Sequence, residues 1–72
     1  MIGYKLTTEQ KEDIQGKEYA PYQCFNCVQD MNNIWFTFLT DEDKLKIENT
    51  EYKWILTCQQ AEYVPPINKL IK

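Results

Sequence analysis

Residues 30–39, DMNNIWFTFL, decide how the rest of the chain is read. Asp and Asn tolerate positive φ and bond their own backbone, so Asp30-Met31-Asn32-Asn33 is turn chemistry. In the six residues that follow, five are β-branched or aromatic, which is strand composition. On the other side of the turn, residues 22–29 (YQCFNCVQ) show no 3.6-residue period and follow Pro21, which ends a helical path. They read as the first arm of a hairpin over residues 22–39. An extended 34–39 segment places Ile34, Phe36 and Phe38 on one face and Trp35, Thr37 and Leu39 on the other. Both faces are apolar. Either helices cover the strand on each side, or one face stays open for a partner.

Two short helices flank the hairpin. Thr7 with Gln10 three residues later is a capping-box pattern, and Gly16 stands where a left-handed C′ residue would, which predicts a helix over about 8–15. Ile14 is its interior apolar anchor, with Tyr4 and Leu6 ahead of it. Thr40-Asp41-Glu42-Asp43 opens a second helix over about 41–48: Thr40 is the N-cap, and acids sit in the first turn by the positive end of the dipole. Leu45 and Ile47 are expected to face inward. Residues 52–58 (YKWILTC) have the composition of a further strand, and 61–64 (AEYV) of a short edge strand before Pro65-Pro66. That proline pair stops pairing and is expected to project residues 67–72 as a tail. The fold class expected is α+β, one domain over 1–72: a small antiparallel sheet (hairpin 22–39 plus strand 52–58) with two short helices.

Seventy-two residues bury only roughly 60% of the surface that the unfolded chain exposes, so stability must come from dense packing. Two Trp, five Tyr and three Phe, 14% of the chain, supply it. Eight Lys, no Arg, no His and eleven acids leave a net charge of −3. Nucleic acid is a poor partner for such a chain, because phosphate binding needs clustered Lys and Arg. Without His the commonest general base is missing, which argues against an enzyme. No stretch approaches the roughly 20 apolar residues of a membrane span, and the N-terminus lacks the basic-then-apolar pattern of a secretory signal. The expectation is an intracellular protein with no membrane partner.

Four groups of residues invite chemistry. Cys24 and Cys27 with Cys58 resemble part of a metal site. On one strand, residues three apart point to opposite faces, and a closed zinc site without His would need a carboxylate or a partner's residue as fourth ligand. Reduced structural thiols and no cofactor are therefore expected. The interval Asp30 to Asp41 has the length of a calcium loop, but Ile34 and Trp35 stand where an oxygen ligand and the turn Gly belong. Asp41, Glu42, Asp43, Glu48 and Glu51 read as capping and solubilising acids beside Lys44 and Lys46 rather than an acid–base pair. The aromatic set is the most informative: Trp35, Leu39, Tyr52, Trp54 and Tyr63 are the candidate partner-binding residues if one sheet face stays open.

Read in order, FNCVQD at 25–30, NIWF at 33–36, TDED at 40–43, YKW at 52–54 and EYVPP at 62–66 resemble a pattern of small uncharacterised proteins encoded in bacteriophage genomes. Cys27 stands where that pattern has a Pro. The resemblance implies a virus-encoded accessory or virion protein, found in the host cytoplasm or the particle. Together with the composition it leads to a non-enzymatic protein–protein interaction or assembly protein, binding a protein partner or itself. Two alternatives remain: a small acidic inhibitor of a host protein, and a metal-binding protein that uses the three cysteines.

Overall fold

The structure, a computed structural model, describes residues 1–66. Ile2, Tyr4 and Leu6 alternate with Gly3 and Lys5, and this two-residue period makes β1 (Ile2–Leu6) a strand with one apolar face. Its partners come from far along the chain. β5 (Trp35–Thr37) pairs antiparallel on one side, with Tyr4 opposite Thr37 and Leu6 opposite Trp35. β6 (Gln60–Glu62) pairs antiparallel on the other, with Ile2 opposite Glu62. β4 (Cys27–Gln29) completes the sheet against β5, giving the order β4-β5-β1-β6. The β4–β5 connection is the expected hairpin turn: the buried Asp30 carboxylate accepts the N–H groups of Asn32 and Ile34, both at 2.9 Å, and Asn33 takes φ +64°.

Between β1 and the hairpin lie α1 (Thr8–Ile14) and a two-stranded ribbon of β2 (Glu18–Ala20) and β3 (Gln23–Cys24). The Thr7/Gln10 capping box forms as expected, and Gly16 ends the helix with φ +76°. The α+β class, the two helices and the presence of a small antiparallel sheet agree with the sequence reading; β1, a central strand of that sheet, is additional to it. The expected strand over 22–29 is broken instead into β3 and β4, which belong to different sheets. Phe25 causes the break. Its ring is buried, and its backbone is turned inward to donate to the Lys17 carbonyl and accept from Gly16.

α2 (Asp41–Ile47) carries the second capping box, between Thr40 and Asp43. Ile47 is fully buried, but Leu45 is 66% exposed, against the expectation that both face inward. Two residues apart on a helix is about 200°, so one of the pair must turn away. Residues 52–58 depart further: Lys53–Thr57 form a 3₁₀ helix, not a strand. A period of three puts Tyr52, Ile55 and Cys58 on one side, where Ile55 is fully buried and the other two pack on the core. Local bonds then satisfy the backbone, from Lys53 to Thr50, Ile55 to Tyr52 and Cys58 to Ile55. The tail expected at 67–72 lies outside the described residues. Among those described, no helix is long and apolar enough to cross a membrane.

The sheet is covered on both faces by different means. On one, Tyr4, Leu6 and Cys27 meet Ile14 of α1, Phe25, Ile47 of α2 and Ile55, and Trp35, Leu39, Tyr52 and Trp54 pack around that cluster. On the other, Phe36 is only 1% exposed although no helix among the described residues lies over it. Phe38 stacks at 6.3 Å from it and Tyr63 meets both rings edge-on, at 5.4 and 5.1 Å. The chain after β6 is tied across this face. Tyr63 donates its N–H to Met1 and its hydroxyl to the Gln29 carbonyl, and Val64 accepts from the N–H of Met31.

Gly3 makes this second layer fit. A Cβ there would stand 2.6 Å from Phe38 Cε1 and 3.0 Å from Phe36 Cδ2, so the aromatic rings rest on bare backbone. Gly3→Ala should overpack the layer, costing about 1–3 kcal/mol and lowering Tm by several degrees in thermal melts followed by circular dichroism.

Candidate functional site

The five sequence-selected residues do not form one patch. Trp35, Leu39, Tyr52 and Trp54 are half-buried against the core, Trp35 with the Lys11 ammonium 4.4 Å above its ring, while Tyr63 lies on the other side of the sheet. The most exposed aromatic residue is one that the sequence reading placed in a strand: Tyr22, at 99% exposure.

Tyr22 stands at the tip of the β2–β3 ribbon. Pro21 before it favours a turn, and the next residue has φ +64°, a conformation that Gly or Asn adopts readily and Tyr does not. The Glu18 carboxylate accepts the Tyr22 N–H at 3.1 Å and holds the turn closed. Glu18, Tyr19, Ala20, Pro21 and Tyr22 together line an open cleft of about 500 Å³. The readable signal was the Pro-Tyr step itself, since the residue after a turn Pro is normally one that tolerates positive φ.

The ribbon is anchored to the body through Tyr19 and Gln23. The Tyr19 ring lies 4.5 Å from buried Phe25, which in turn meets Tyr52 edge-on at 5.1 Å. Gln23 accepts from the Lys46 ammonium of α2 at 2.7 Å. Tyr19 also faces Asp43 of α2, and burial together with that carboxylate pushes its phenol pKa up. Burial pushes the Asp43 carboxyl up, but the N–H and hydroxyl of Thr40, the Tyr19 hydroxyl and Lys46 outweigh it, leaving the group below the ordinary aspartate range.

The second aromatic pair, Tyr52 and Trp54, borders a different cleft of about 270 Å³ with Asp13, Lys17 and Glu51. The three cysteines are dispersed. Cys24 is exposed on β3, Cys27 is buried on β4 and Cys58 is half-buried after the 3₁₀ helix, all as free thiols. Burial raises the thiol pKa of Cys58, and of Cys27, where Lys11 only partly opposes it. Among the described residues no three Cys, Asp or Glu side chains gather as a metal site. No family model matches the chain, and neither a curated protein nor a solved structure matches it.

Two outcomes follow from these environments. Because its folded pKa is depressed, ionised Asp43 stabilises the fold above the ordinary aspartate range, and that contribution disappears as pH falls through the lowered value. Asp43→Asn should therefore lower Tm at pH 7 and flatten its acid limb below about pH 4, as read by melts across pH 2–7. Iodoacetamide should add to Cys24 alone in the native protein and to Cys27 and Cys58 only on unfolding, as counted by intact mass.

Proposed function

We propose that this chain is a non-enzymatic protein-binding module that meets its partner through the β2–β3 tip. One observation carries the reading: a fully exposed Tyr held in a left-handed turn. For a non-Gly residue that conformation costs roughly 1–2 kcal/mol, and Tyr22 offsets none of it by packing. The rest of the chain spends its aromatic rings on two sheet faces, so a ring left outside at a strained tip serves contact with another molecule. Tyr is also prominent among the residues that dominate protein interfaces, since it supplies large contact area with few rotatable bonds.

The adjoining cleft gives that contact depth, and the anchors through Tyr19 and Gln23 give it a fixed orientation. A preoriented tip loses less freedom on binding than a loose loop. The likeness to phage-encoded proteins supports an accessory or virion role, with the partner another component of the particle or its assembly.

Tyr22→Gly distinguishes contact from folding. The variant should match or exceed the parent Tm, because Gly relieves the left-handed strain, while co-assembly with the partner falls at least about tenfold. Undiminished co-assembly by Tyr22→Gly, measured in pull-downs against purified particle components, would overturn the proposal.

A further inference from the structure

We infer that the cleft between α1 and the 3₁₀ helix receives a cationic side chain, Lys or Arg, presented by a protein partner. Its lining is chemically consistent. Asp13 comes from the last turn of α1, Glu51 from the turn before the 3₁₀ helix, and Tyr52 and Trp54 from the start of that helix. Among the described residues, neither carboxylate is engaged in an ion pair, whereas Asp41 and Glu42 are paired with Lys44 and Lys46. Two carboxylates against one Lys, beside two aromatic side chains, favour a cation, because carboxylates attract it and aromatic rings accept it.

The rings are not free to leave. Tyr52 is wedged edge-on against buried Phe25, and both Tyr52 and Trp54 pack on the main core. A cleft of about 270 Å³ with such walls accepts the end of a long side chain without rearrangement. Among the described residues Lys17 is the one cation in the lining, and it reduces the negative balance from two to one. The net charge of −3 draws a basic segment rather than an acidic one.

This surface adjoins the β2–β3 ribbon, through the Tyr19–Phe25–Tyr52 ring contacts, but does not include its tip. The inference therefore stands apart from the role of Tyr22, and its test uses other residues.

A short peptide with a central Arg, and the same peptide with neutral citrulline in its place, would be titrated into the ¹⁵N-labelled full chain. The Trp54 indole signal is the reporter, assigned by its loss in Trp54→Phe. The Arg peptide should shift that signal saturably, and the citrulline peptide should not. Asp13→Asn with Glu51→Gln, both exposed and conservative, should weaken the response about tenfold, whereas Lys17→Gln should strengthen it. An equal response to citrulline, or an undiminished response in the double variant, would overturn the inference. Tyr22→Gly should respond like the parent chain, so failure at the β2–β3 tip and failure at the cleft are read separately.

Discussion

The backbone bonds on the two sides of β1 hold the molecule together. One edge of Ile2–Leu6 is joined to β5 and the other to β6, so a five-residue segment at the start of the chain links the middle to the end. Everything else is placed relative to it. The hairpin β4–β5 hangs on one side, the chain after β6 passes across one face, and α1 follows directly and returns Ile14 to the opposite face. Such pairing costs loop-closure entropy before it returns any contact, and in a chain this small the return must come from burial on both sides of the sheet.

Both sides are indeed filled, by unlike materials. One face uses aliphatic residues from four separate elements, Leu6, Ile14, Ile47 and Ile55, joined by buried Tyr4 and Phe25, with further aromatic rings at the margin. The other is built around three aromatic rings, set on the bare backbone of Gly3. The absence of a side chain at one position therefore sets the spacing of a whole layer. It also explains how β5 can be apolar in both directions without a helix on each side.

Local chemistry was legible in the sequence, and long-range placement was not. Both capping boxes and the Asp30–Asn33 turn are short-range hydrogen-bond patterns, complete within a few residues, and they occur where their residues predict. β1 carried a period-two signal in Ile2, Tyr4 and Leu6, but it was brief, and Tyr4 and Leu6 served equally well as anchors for the helix behind them. The 52–58 segment misled through composition: Tyr, Trp, Ile, Leu and Thr suit strands, yet with both edges of β1 occupied by β5 and β6, burial of Ile55 is met by a 3₁₀ helix. The candidate partner residues presuppose one open sheet face extended by a strand at 52–58, so the 3₁₀ helix there and the placement of Tyr63 against Phe36 on the other face scatter them. Asp13, Lys17 and Glu51 join Tyr52 and Trp54 only in three dimensions, with Asp13 and Glu51 separated by 37 intervening residues, a separation that no local pattern reports.

The turn at Pro21-Tyr22 separates two pressures that usually act together. At Phe36 or Ile14, folding and any use of the molecule reward the same residue. At position 22 folding alone rewards Gly, and the ring contributes nothing to the interior. Any lineage that keeps an aromatic residue there keeps it against the preference of the backbone, so variation at this one site would meter selection on something other than stability.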